Sequence, residues 1–126
     1  MGYLLDTHIL IWFLEGDQKL KEKFRNTITE SLDPKYVSIA TIWEIAIKTS
    51  LNRLETDFSI EETTELIETN GLIVLPIEHK HCLEIVTLLF HHKVPFDRML
   101  IAQAISEDLT IITEDQYFKS YEAKVL

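Results

Sequence analysis

Tyr3-Leu4-Leu5-Asp6-Thr7-His8-Ile9-Leu10-Ile11-Trp12-Phe13-Leu14 stands almost at the start of the sequence and sets the pattern for the rest of it. A short apolar run, a polar break and a longer apolar stretch read as a strand followed at once by a helix. Residues 17 to 31 are charged, with Leu20, Phe24 and Ile28 at every fourth position, and predict an amphipathic helix packed along one stripe. Asp33-Pro34 ends it. Tyr36-Val37-Ser38 predicts a brief second strand, and Thr41 to Leu51 a strongly apolar helix carrying Trp43, Glu44, Ile45, Ile47 and Lys48. A more polar helix from about Ser59 to Thr69 stops at Asn70-Gly71. The second half repeats the exchange. Leu72 to Leu75 reads as strand, Glu78 to Phe90 as helix, Asp97 to Glu107 as helix after Pro95, Leu109 to Ile112 as strand, and Val125-Leu126 as a short edge strand. Strands separated by helices make right-handed crossovers and not hairpins, so the predicted fold is α/β: a three-layer α/β/α arrangement around a parallel sheet of four to five short strands.

The chain has 126 residues, of which 46% are apolar, with three Gly and three Pro. That length and balance predict one ordered domain over residues 1–126, without repeats or linkers. Cys82 is the only cysteine and has no internal partner for a disulfide. With no long apolar run and no basic leader, a cytoplasmic location and no membrane contact are expected. Twelve Lys and Arg against 21 Asp and Glu give a formal charge of -9. Such a balance opposes a phosphate-rich partner unless bound cations neutralise part of it.

Ligand sites in such sheets lie beyond the carboxyl ends of the strands, and there this sequence is acidic. Asp6 follows the first strand, Asp115 follows Leu109–Ile112 after Thr113 and Glu114, and Glu44 lies in the helix after the second strand; Asp97 opens the helix that leads into Leu109, so its side is set by the fold and not by this rule. Each has a structural explanation taken singly. Asp6 and Asp97 suit helix starts, Asp115 suits a terminal turn, and Thr41 with Glu44 has capping-box spacing. Jointly they call for more. Like charges about 4 Å apart at an effective dielectric of about 20 repel by roughly 4 kcal/mol, so a carboxylate cluster takes up protons or cations. Oxygen ligands without Cys select hard ions, Mg²⁺ or Mn²⁺, which activate water and offset charge in phosphoryl chemistry.

Four stretches then match a known family: Leu4-Leu5-Asp6-Thr7-His8, Ser38 with Trp43-Glu44-Ile45, Pro95-Phe96-Asp97-Arg98-Met99-Leu100-Ile101-Ala102-Gln103-Ala104, and Ile112-Thr113-Glu114-Asp115. Together they resemble PIN-domain toxins of the VapC type over nearly the whole chain. The resemblance implies a Mg²⁺- or Mn²⁺-dependent endoribonuclease that cleaves RNA, the toxin of a type II toxin–antitoxin system, silenced by a VapB-like antitoxin to which it binds as a homodimer. It implies Asp6, Glu44 and Asp97 as the acidic core and metal ligands, Asp115 as a fourth acid, and Thr113 as a hydroxyl that orients the site or its water. Two positions depart from the family pattern. Val94 stands where Asp is common before Pro-Phe-Asp-Arg, and Asn52-Arg53-Leu54 stands for Gly-Arg-Leu, with Asn suited to the same left-handed helix cap.

Lys48, four residues after Glu44, reads first as its ion-pair partner. Arg98 is open to a phosphate contact or to bracing a carboxylate. His8, His79, His81, His91 and His92 lack the spacing or Cys partners of a zinc site and read as core or solvated side chains. Trp12, Phe13, Trp43 and Phe96 read as packing, or as a patch for dimerisation or antitoxin docking. The competing functions are an aspartyl phosphatase, which needs a second Asp where His8 stands, and a catalytically silent PIN-fold binding module.

Overall fold

The computed structural model describes residues 1–53, 56, 58–89 and 94–126. The last residue of the helix expected over 78–90, His91, His92 and Leu54 lie outside them. The chain runs β1 (Gly2–Leu5), α1 (Thr7–Glu15), α2 (Glu22–Glu30), β2 (Lys35–Ser38), α3 (Ile39–Ser50), α4 (Ile60–Thr69), β3 (Ile73–Leu75), α5 (His79–Thr87), α6 (Pro95–Glu107), β4 (Leu109–Ile112) and β5 (Lys124–Val125), with a 3₁₀ turn at Gln116–Ser120. The strands form one five-stranded sheet in the order β3-β2-β1-β4-β5, and every pairing is parallel.

Alternation along the strands explains the three layers. Successive side chains point to opposite faces, so Leu5, Val37 and Ile112 join Ile9, Leu10, Phe24, Ile28, Ile45 and Ile67 on one side. Leu4 and Ile111 join Leu100, Ile101, Ala104 and Phe118 on the other. Helices α1 to α4 thus pack beside the first group and α6 beside the second. A buried polar bracket ties α6 to the sheet. Ser38 Oγ donates to Gln103 Oε1, and Gln103 Nε2 donates to the Pro76 carbonyl at 3.2 Å. His81, fully buried, bonds Glu107 at 2.8 Å.

Three helix starts differ from the sequence expectation, each for a local reason. The second helix begins at Glu22 and not near residue 17, because Asp17 Oδ1 accepts the Lys19 N–H at 2.9 Å and holds a turn there. The third begins at Ile39 and not Thr41. Ser38 is its N-cap, accepting from the Ala40 N–H at 2.9 Å, so Thr41 and Glu44 form no capping box and Glu44 is released for other contacts. The sixth starts at Pro95, the first helical position, where a missing N–H costs nothing; Asp97 sits in its first turn and is not its cap.

The expected left-handed stop at Asn52 is present, with φ 54°. From β1 the strand order runs outward to β2 and β3 on one side and to β4 and β5 on the other. A crevice therefore opens between the carboxyl ends of β1 and β4, where such folds bind ligands.

Candidate active site

Asp6 is the first residue beyond β1, and its N–H donates to the Ile112 carbonyl of β4 at 3.0 Å. The sheet itself thus holds this residue at the mouth of the crevice. One carboxylate oxygen accepts the Thr7 N–H at 2.7 Å, and the other accepts the Thr113 hydroxyl at 2.8 Å. Asp6 is therefore an N-cap, as its structural reading requires, and also a buried acid with 7% exposure. Burial raises its pKa from 3.8 to about 6; the Thr113 hydrogen bond opposes this, and the charge of Asp97 pushes the same way as burial.

Glu44 reaches the site from α3. Its Oε1 accepts the Thr7 hydroxyl at 2.7 Å, while Thr7 Oγ lies 3.1 Å from Thr41 Oγ. With the Thr7 proton given to Glu44, the Thr41 hydroxyl is the donor to Thr7. Glu44 Oε2 meets Lys48 Nζ at 3.2 Å, one turn along the same helix. Thr113, just past β4, also accepts the Asp115 N–H at 3.0 Å. Asp115 then caps the 3₁₀ turn through the Tyr117 N–H at 2.9 Å.

A cavity of about 600 Å³ joins these groups, lined by Asp6, Glu44, Asp97, Asp115 and Glu114, with Thr7, His8, Trp12, Lys48 and Phe96 among its other walls. All four acids singled out from the sequence meet there. Thr113 takes part through its bonds to Asp6 and Asp115. Thr7 and Glu114 were missed. Thr7 carried no local signal, because its partners Thr41 and Glu44 come from α3. Glu114 had none, and in the fold Lys21 lies 3.9 Å from it.

Arg98 is mostly buried and donates to the carbonyls of Leu89 at 3.1 Å and Ile85 at 3.4 Å, and to the Tyr121 hydroxyl at 3.4 Å. It fastens the end of α5 to α6 and does not line the cavity. Trp43, 56% exposed, packs edge-on against Phe96 with ring centroids 5.2 Å apart.

Among the described residues, no three His, Cys, Asp or Glu side chains are gathered closely enough to form a ready metal-ligand set. The donor chemistry nevertheless fits a hard ion. Mg²⁺ keeps several waters and is held by one or two carboxylates, and a buried Asp whose charge is opposed by a second Asp favours a cation over water.

The family model for the PIN domain matches residues 3–124. The chain belongs to the PIN domain family. This PIN domain is similar in fold to a chain of VapBC2 from Rickettsia felis bound to a promoter DNA fragment, at 16% identity and TM-score 0.71, covering 100% of this chain and 98% of that one. It is similar to a chain of VapBC-1 from nontypeable Haemophilus influenzae at 21% identity and TM-score 0.67, covering 100% and 97%. A toxin–antitoxin complex from Klebsiella pneumoniae matches at 17% identity and TM-score 0.66, covering 98% and 95%. These likenesses are of fold. Comparison with curated protein sequences gives no significant match. No helix among the described residues is long and apolar enough to cross a membrane.

Proposed function

We propose that this PIN domain is the toxin of a type II toxin–antitoxin pair and an endoribonuclease that uses Mg²⁺ or Mn²⁺ to hydrolyse RNA phosphodiester bonds. The convergence of Asp6, Glu44, Asp97 and Asp115 on one cavity carries the reading. Asp6 and Asp97 would hold the ion, with Glu44 and Asp115 as further ligands directly or through water. When bound, the ion supplies Lewis acidity to the phosphate and lowers the pKa of a water.

The protein's own groups prepare that chemistry. The Thr7 N–H and the Thr113 hydroxyl fix both oxygens of Asp6, and the Thr7 hydroxyl orients Glu44. Lys48 balances Glu44 in the absence of an ion. The chain's net charge of -9 makes cation binding a condition for approach of RNA. A VapB-like antitoxin belongs to the same proposal, supported by the VapBC complexes among the structures of similar fold; a homodimer belongs to it on the motif resemblance alone.

The test is cleavage of end-labelled RNA in Mn²⁺ by the wild type and by Asp97→Asn, with a phosphate monoester alongside. Loss of RNA cleavage in a folded Asp97→Asn protein is expected, because an amide cannot replace a charged ligand. Equal cleavage by both proteins refutes the reading. Phosphate release from the monoester with RNA left intact favours the phosphatase.

A further inference from the structure

Among the described residues that line the acidic cavity, Lys48 is the only Lys or Arg, and Asp6, Glu44, Asp97, Glu114 and Asp115 share the lining with it. Its place follows from α3. Glu44 and Lys48 stand four residues apart and share one face of the helix, with the acid toward the amino end, the favourable orientation of such a pair. Lys48 Nζ lies 3.2 Å from Glu44 Oε2. Elsewhere Lys124 pairs with Asp108 where both side chains are well exposed, so that pair ends in solvent. The Lys48–Glu44 pair ends among carboxylates.

Its two members are unequally placed. The Lys48 side chain is 39% exposed and that of Glu44 is 12% exposed. The ammonium can return to water at little cost, whereas Glu44 without it would be a largely buried charge lacking a cation. Glu44 is also fastened. Its Oε1 accepts the Thr7 hydroxyl at 2.7 Å, Thr7 Oγ lies 3.1 Å from that of the buried Thr41, and the Thr7 N–H donates to Asp6. The same turn of α1 therefore holds both acids, and Glu44 cannot follow Lys48 outward without breaking that link. With Oε1 given to Thr7, Oε2 is the oxygen left for a cation, and Lys48 occupies it.

We propose that Lys48 is a resident counter-ion which a divalent metal must displace from Glu44, and that this exchange sets the affinity of the cavity for the ion. Without metal the ammonium neutralises Glu44. When metal enters, Oε2 passes from Lys48 to the ion or to one of its waters, and the ammonium turns to solvent. The exchange weakens metal binding, because one ion pair is given up for each ion gained. The inference rests on the metal-binding reading of the cavity and concerns regulation of that site by a residue of the same chain.

The test is a double-mutant cycle on Mn²⁺ affinity, measured without RNA from the electron paramagnetic resonance signal of free Mn²⁺. Wild type, Lys48→Gln, Glu44→Gln and the double variant form the cycle, and Lys48→Arg keeps the charge. Residues in contact couple, so Lys48→Gln should bind Mn²⁺ about tenfold more tightly than the wild type. Lys48→Arg should stay within about twofold of the wild type. In the Glu44→Gln background the same change at Lys48 should tighten binding by no more than about twofold, since the competition acts through Glu44.

Equal tightening in both backgrounds overturns the proposal, because Lys48 then acts only as a nearby charge. Unchanged or weaker binding by Lys48→Gln overturns it too, the weaker result making Lys48 a brace for Glu44. No Mn²⁺ binding by the wild type or by Lys48→Gln refutes both this inference and the nuclease reading. The predicted cycle in proteins that leave RNA uncut upholds the counter-ion and refutes the nuclease.

Discussion

Replacing Asp6 by Asn should stabilise the metal-free protein at neutral pH, although it removes a residue proposed to hold the ion. Asp6 is 7% exposed, and its pKa is raised from 3.8 to about 6, chiefly by burial, with the charge of Asp97 adding to it. A proton held more tightly in the folded state stabilises fully below pH 3.8, and that contribution is lost as pH rises through about 6. A shift of roughly two units at 1.36 kcal/mol each amounts to about 3 kcal/mol. Asn does not ionise and still caps α1. Its weaker bond with Thr113 takes back about 1 kcal/mol, leaving a net gain of about 2 kcal/mol. For a domain of this length that is about 8 °C in Tm. Thermal unfolding followed by circular dichroism in a chelator should show the variant above the wild type at about pH 7.5 and the gain gone by about pH 4. Added Mn²⁺ should raise Tm for the wild type and leave Asp6→Asn unmoved. A variant that is less stable than the wild type by the same amount at both pH values refutes the reasoning.

Thr113→Val removes the hydroxyl that donates to Asp6 and accepts from Asp115. It should destabilise the fold by about 1–3 kcal/mol, raise the Asp6 pKa further and weaken Mn²⁺ binding by about 10- to 100-fold in calorimetric titration; an unaltered affinity counts against its orienting role. Gly2→Ala should instead separate stability from the site. A Cβ there would meet Leu109 Cδ2 at 3.0 Å and the Pro34 carbonyl oxygen at 3.1 Å, costing about 1–3 kcal/mol in denaturant unfolding. Mn²⁺ affinity should be unchanged, because Gly2 lies at the far end of β1 from Asp6.

The layers were legible because Leu4-Leu5 and Ile111-Ile112 are apolar on consecutive positions, which only a sheet covered on both faces can accommodate. Asp6 and Asp115 were legible from their place after strands and Glu44 from the helix after one, whereas Asp97, which precedes β4, was brought to the same end by the fold. What the sequence hid was competition for caps and partners. Ser38 ends β2 and caps α3 at once, so the Thr41–Glu44 spacing that resembles a capping box instead turns both side chains toward Thr7. That link spans α1 and α3 and has no local signature. Arg98, adjacent to Asp97 in sequence, faces the carbonyls of α5 because neighbours on a helix point about 100° apart. Gln103 likewise discloses its role only when α6 packs across the ends of β2 and β3.

The most direct test of the central claim is anomalous diffraction from crystals of the wild-type protein grown with Mn²⁺. Manganese bound by the carboxylates of Asp6 and Asp97, and missing from Asp97→Asn crystals, is the predicted result. Manganese found only elsewhere, in a protein that still cuts RNA, would contradict it.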